Sequence, residues 1–373
     1  MYKLTKQQWL AITIIPQFIV VKLLSGHESF VETYYSQGIY PLISKIFRYV
    51  LGWLPFSFGD LMYTVLIVLI LRSLFLLIRS KFKHWKSFVG SAFASVSIVY
   101  FLFHALWGLN YYRQPLNESL GIENEYTKED LIQLTERLIV KSNILHSQLA
   151  NSDSSAVVYA FAKADIFNKT ITGYETLKQQ FPQLDYPPKS IKTSLLSYPL
   201  SVMGYSGYLN PISLEAQING LMPQYHWPVV SCHEQAHQLG FAKENEANFM
   251  AVLATINNPD PYFQYSGSIF ALRYCLNDLH RRDATLAKRL REKVRPGIYA
   301  NYQESRDFWD SFENPIEPII DTVYNSFLKA NNQPGGVKTY SYMVALLVNY
   351  NACLLYTSPS PRDQRGSRMP SSA

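Results

Sequence analysis

Apolar positions are massed in the first 110 residues of this chain. Three runs stand out: Trp9 to Leu24, Leu61 to Ile78 and Phe88 to Leu109. A helix that crosses a bilayer needs roughly 20 mostly apolar residues. The third run meets that need without a charge. The second carries only Arg72, and the first is short and interrupted by Pro16, Gln17 and Lys22. The pattern predicts three transmembrane helices within residues 1–110. The first run has no small-residue cleavage site and further runs follow it, so it reads as an anchor and not as a removed signal peptide. Between the first two runs, Tyr40 to Phe56 interleaves aromatic and aliphatic residues with Lys45 and Arg48. That mixture predicts a helix lying in the membrane interface.

From about Tyr111 the pattern becomes that of a globular domain, expected to span 111–352. Thr127 with Asp130 forms a capping-box signal, and Leu131, Leu134, Leu138 and Ile139 follow at helical spacing. Residues 156–180 also read as helix, until Pro182, Pro187 and Pro188 break the pattern. Ser197 to Gly220, rich in Tyr, Ser, Gly and Asn, reads as strands and turns. Helical patterns resume at about 262–279, 283–293, 299–312 and 316–329, and a last apolar helix is expected from near Tyr340. No internal repeat is visible. The fold class that follows is mainly α with a small β-sheet, behind N-terminal transmembrane helices.

Residues 353–373 do not belong to this pattern. Leu354 to Ala373 interrupts an apolar helix with Ser, Pro and Arg in no period and resembles a translated adapter sequence. It is treated as a non-native tail and left out of fold reasoning.

Of the 373 residues, 48% are hydrophobic and 17% charged, the charged share lying below the typical quarter of a soluble domain. The net charge of +6 does not point to nucleic acid. The last twenty residues hold three arginines and one aspartate, which supply +2 of it. Another basic group, Arg79, Lys81, Lys83 and Lys86, sits between the second and third runs. Lys3 and Lys6 precede the first. Both groups should face the cytoplasm under the positive-inside rule, which leaves the globular domain outside. The expected location is a bacterial inner membrane, crossed several times, with an extracytoplasmic domain. Cys232, Cys275 and Cys353 are not spaced as a metal knuckle or redox pair and read as small buried apolar residues.

The chemistry lies in His233-Glu234-Gln235-Ala236-His237. On a helix, histidines four apart stack on one face, where two imidazoles can hold two corners of a tetrahedral Zn2+ site. Glu234 then points at the open corner and can take a proton from water. Pro228 suits the first helical turn, and Gly240 suits the turn after the last. Two carboxylates beyond that turn, Glu244 and Glu246, are available as third ligand. Glu244 is preferred, because Asn248 then follows one turn later on the same face, where it can support a ligand histidine. Other groups near the motif are less defined. Residues 214–221 are a candidate edge strand for binding an extended peptide, with a plain hairpin as the alternative. Tyr208, His280 and Arg281 are candidate oxyanion stabilisers.

HEQAH followed by Glu-x-x-Ala-Asn resembles the gluzincin metallopeptidases. The resemblance implies a zincin-like α+β domain with His233, His237 and Glu244 as ligands, Glu234 as general base and Asn248 in the supporting position. The interval from His237 to Glu244 is shorter than in most gluzincins, and the third metzincin position falls on Lys243. Over roughly residues 1–350 the chain is more closely similar to an uncharacterised family of bacterial membrane proteins, best known from Bacteroidota. That family has three spans, a His-x-x-Trp-Gly-x-Asn-Tyr-Tyr-Arg-like segment, here His104 to Arg113, and an HExxHQxGFAxExEAN core, here His233 to Asn248.

The function expected is a membrane-anchored, zinc-dependent metallohydrolase. It would be a peptidase acting on peptide or protein substrates at the outer face of the membrane, with the bilayer as its other partner. Two alternatives stand beside it. One is a non-catalytic envelope protein stapled by structural zinc, which would have no use for Glu234. The other is a membrane binding or transport component, for which one arginine among three spans gives little support.

Overall fold

The computed structural model describes residues 4–159, 161–336 and 342–357, the last six as backbone only. Of the tail expected to be non-native, 358–373 lies outside the described residues, as does Tyr340.

The N-terminal part consists of α1 (Lys6–Ile12), α2 (Ile14–Leu24), the single turn α3 (Glu28–Phe30), a π-helix (Val31–Ile39), α4 (Tyr40–Gly52), α5 (Phe58–Arg79) and α6 (Trp85–Leu106). Among the described residues, three segments are long and apolar enough to cross a membrane: Lys6–Leu24, Phe58–Arg79 and Trp85–Leu106. They correspond to the three apolar runs. Gln7 bonds Ser91 and Thr13 bonds Ser97, so the first segment runs parallel to α6. The basic stretch Arg79–Lys86, between α5 and α6, therefore shares an end with Lys6. The other end, at Leu24, Phe58 and Leu106, meets the rest of the chain.

Helix α4 falls where the interfacial helix was expected. Leu42, Ile46, Tyr49, Val50 and Trp53 are exposed along one stripe, while Tyr40, Ser44 and Arg48 are buried on the other. The π-helix before it was not foreseen. A nine-residue π segment has no period that separates it from an α-helix in sequence.

Beyond Arg113 come α7 (Leu116–Leu120), α8 (Lys128–Leu149), α9 (Lys163–Lys178), α10 (Ser197–Val202), α11 (Trp227–Gln238), α12 (Glu244–Ile256), α13 (Pro261–Arg282), α14 (Ala284–Arg291), α15 (Pro296–Asp310), α16 (Glu317–Ala330) and α17 (Met343–Thr357). The Thr127–Asp130 capping box forms as read. Helix α9 begins only at Lys163, later than the expected 156, and Ser197–Val202 is helical where strands and turns were expected.

Three short strands, β1 (Ile191–Thr193), β2 (Gly207–Leu209) and β3 (Ala216–Ile218), form a sheet in the order β1-β3-β2. β1 runs parallel to β3, and β2 runs antiparallel to it with Tyr208 opposite Gln217. Residues 214–221 thus supply the central strand, paired as a hairpin with β2, and not a substrate-binding edge. The free edge beside the HExxH helix is β2.

The core forms around α11, α12 and α13, against which α8, α9 and α17 pack. Trp227, Phe249, Phe263, Tyr265, Leu131 and Ile166 are each under 2% exposed. Burying one such side chain is worth about 1.5–3 kcal/mol, and α11 and α12 are buried on nearly every side. A second cluster, including Val21, Tyr40, Trp107, Tyr111, Leu209 and Ala242, joins the ends of the apolar helices to the domain.

Candidate metal centre

Trp227–Gln238 becomes a helix for local reasons that its sequence states. Pro228 occupies its first turn, where a missing N–H costs nothing. Gly240 follows at φ +91°, a conformation that side chains resist and that turns the chain sharply toward α12. A Cβ there would also sit 3.1 Å from both Asn110 Oδ1 and the Tyr40 ring. Two glutamines of this buried helix tie it to its neighbours. Gln235 bonds Thr170, and Gln238 bonds the Ser190 and Leu214 carbonyls and the Tyr186 hydroxyl.

The last carbonyls of a helix have no partner within it. Here they are met from the membrane side. Tyr40 Oη and Ser44 Oγ donate to the Gln238 carbonyl at 2.9 and 2.7 Å, and Trp107 Nε1 donates to that of His237 at 3.1 Å. Arg113 donates to the Gly240 carbonyl and forms a buried bidentate pair with Glu32 of the π-helix. The His104–Arg113 segment singled out in the sequence is thus a clamp. Trp107 and Arg113 hold the far end of the HExxH helix, each neutral contact worth about 0.5–1.5 kcal/mol.

His233 and His237 project from one face of α11 with ring centroids 4.6 Å apart. Glu244, at the first position of α12, reaches both. Its Oε2 lies 3.3 Å from His233 Nε2 and 3.6 Å from His237 Nε2. One ligand atom from each of the three lies within 4.8 Å of the others, a cluster that could hold a metal ion. Glu246, the alternative, points elsewhere. It accepts from the backbone N–H of Leu116 at 2.9 Å and lies near Lys243. Two residues on from Glu244 is more than half a helical turn, which carries the side chain to another face.

Several features fit this trio to a cation. His237 Nδ1 lies 2.7 Å from the Phe241 carbonyl, which can only accept, so in the neutral, metal-binding form of the ring Nδ1 carries the proton and Nε2 presents its lone pair inward. Among the described residues no hydrogen bond reaches the buried Glu244 Oε2 or Glu234 Oε2. The other Glu244 oxygen is oriented by the Tyr324 hydroxyl at 2.9 Å. The electrostatics point the same way. Burial alone would raise the Glu244 carboxyl, but the facing His237 and His233 hold it well below the usual carboxylate range. Burial alone would lower His237, but Glu244 outweighs it and pushes it up to about 9. The cluster stabilises positive charge at its centre.

Glu234 is the fourth member. Burial raises its carboxyl to about 7, against the opposing pull of His233 and His237. It lies beneath β2, where a Cβ on Gly207 would come within 2.9 Å of Glu234 Oε1 and 2.7 Å of the Gln217 carbonyl. Only glycine lets the strand pass this close.

These side chains share a cavity of about 470 Å³. Asn248 lines it one turn beyond Glu244, as the sequence spacing implied. Residues 204–209 form one wall, Phe103, Trp107 and Tyr111 another, and Tyr324 and Phe327 a third. Of the oxyanion candidates, Tyr208 lines the cavity, but its hydroxyl donates to Asp60 at the start of α5. His280 and Arg281 are exposed at the end of α13, outside the cavity, and Arg281 pairs with Asp278. Sequence reasoning missed Tyr324, 80 residues from the carboxylate it orients, and the ties from Tyr40, Ser44 and Asp60. No local period signals such contacts.

A family model described as "Protein of unknown function (DUF3810)" matches residues 35–348, and the chain belongs to that family. No curated protein and no solved structure matches it.

Proposed function

We propose that this DUF3810 chain is a membrane-anchored, zinc-dependent hydrolase of zincin type, a peptidase that cleaves polypeptide at the outer face of a bacterial inner membrane. One observation carries the reading. His233, His237 and Glu244 converge within 4.8 Å while Glu234, from the same helix, faces the same cavity. A site built only to staple helices has no need of that fourth carboxylate.

Two imidazoles and one carboxylate are the donor set of several catalytic zinc sites, which leave one position open. Bound there, zinc supplies Lewis acidity and makes water a nucleophile at neutral pH. The chain's own groups do the rest. Glu234, raised toward neutrality by burial, accepts the proton of the attacking water and returns it to the leaving amine. The Phe241 carbonyl fixes the tautomer of His237, and Tyr324 fixes the rotamer of Glu244. Ser206 accepts from Asn219 and Asn210 donates to Glu215, both of them across to the β3 side. By antiparallel alternation, the backbone groups of Gly207 and Leu209 face the open edge, suited to an extended peptide. The sharing of one end by Lys6 and Arg79–Lys86, opposite the cavity, supports the outer-face placement.

Chelation tests the reading. Purified full-length protein in nanodiscs should hydrolyse members of a peptide library, lose that activity with a strong zinc chelator and regain it with stoichiometric zinc. Hydrolysis that ignores the chelator, or none at any metal loading, contradicts it.

A further inference from the structure

Helix α16 (Glu317–Ala330) leaves an apolar stripe uncovered. Ile316, Ile319, Val323 and Phe327 recur at helical spacing, and Ile319 and Val323 are 64% and 65% exposed. At about 100° per residue they occupy one flank. Asp321, Thr322 and Lys329, all exposed, occupy the other. The remaining face packs inward through Ile320, Tyr324 and the buried Leu328. A soluble helix rarely carries such a stripe into water, and a helix with one apolar and one polar flank is the form that lies in a membrane surface.

The stripe is continuous with a membrane-crossing segment. Its last member, Phe327, sits with its ring centroid 6.0 Å from Phe103, three residues before the end of α6, and 6.2 Å from Tyr111 just beyond. The C-terminal part of α16 thus meets α6 at the level where that helix leaves the apolar layer. Helix α4, which touches α6, exposes a comparable stripe through Leu42, Ile46, Tyr49 and Trp53. Meanwhile Tyr324, on the inner face of α16, orients Glu244, and Tyr324 and Phe327 line the cavity.

We infer that α16 is an interfacial helix, its Ile316–Ile319–Val323–Phe327 stripe immersed in the lipid surface, and that it walls the metal cavity against the bilayer. The inference rests on the reading of the three apolar segments as membrane spans. The same helix then touches lipid on one flank and a metal-binding carboxylate on its inner face.

Spin labels test it in the full chain reconstituted in nanodiscs. Single cysteines are placed at Ile319, Val323, Thr322 and Lys329, with Val96 on α6 as the span reference and Cys353→Ser removing one native thiol. Cys232 and Cys275 are buried and stay in place. Labels at 319 and 323 should be reached by oxygen in preference to a water-soluble nickel chelate, as at 96. The preference should invert at 322 and 329. Lipid-like behaviour at 96 with water-like behaviour at 319 and 323 overturns the inference and leaves the spans standing. So do labels at 319 and 323 shielded from both reagents, which means protein covers the stripe. Water-like behaviour at 96 overturns the membrane reading and the inference with it.

Discussion

Glu234→Gln leaves the metal in place and lowers peptide hydrolysis by about 10²–10⁴-fold, the share general acid–base catalysis commonly supplies. The amide matches the carboxylate in shape, so packing under Gly207 is preserved, but it cannot take a proton from water. Parallel metal analysis and initial rates on the purified variant read the two effects separately. Full activity removes Glu234 from the chemistry. Lost metal together with lost activity would make it a structural support.

Glu244→Ala is the second large effect, and its contrast with Glu246→Ala is sharp. Removing Glu244 takes away the carboxylate that, among the described residues, pairs with both imidazoles. Metal affinity should fall by more than about 100-fold, beyond the 10–100-fold that loss of a supporting partner costs. Tyr324→Phe, which removes such a partner, should fall inside that range. Glu246→Ala should keep its metal and instead lose about 1–3 kcal/mol of stability, because the Leu116 N–H is left buried without an acceptor. Competition titration with a chelating dye and thermal unfolding distinguish the three. The assignment is reversed if Glu246→Ala loses metal and Glu244→Ala does not.

The sequence carried the site further than it carried the fold around it. His233, Glu234 and His237 were legible because helical spacing alone puts two imidazoles on one face. That Glu244, not Glu246, lies beside the imidazoles was legible from Asn248, which repeats its face one turn later. The clamp was only half legible. His104–Arg113 stood out as a segment, but nothing local says that Trp107 meets the His237 carbonyl 130 residues away. The sheet was misjudged for a related reason. The strands have three residues each, too short for a two-residue period to establish which one is the edge. Residues 214–221 looked like the edge because they lie nearest the motif in sequence, yet β1 and β2 flank them on both sides. Helix α16 was read as a helix without its lipid-facing flank, because an exposed apolar stripe and a core-facing one share a spacing. Only the packing of Tyr324 and Leu328 shows which face is inward.

Everything proposed about chemistry depends on His233, His237 and Glu244 sharing one cation. Zinc K-edge X-ray absorption on purified, metal-replete protein addresses this most directly. The account predicts close to one zinc per chain, with two imidazole nitrogens at about 2.0–2.1 Å and carboxylate oxygen at about 2.0–2.2 Å. A folded protein that retains no zinc, or a zinc without imidazole among its neighbours, would contradict it.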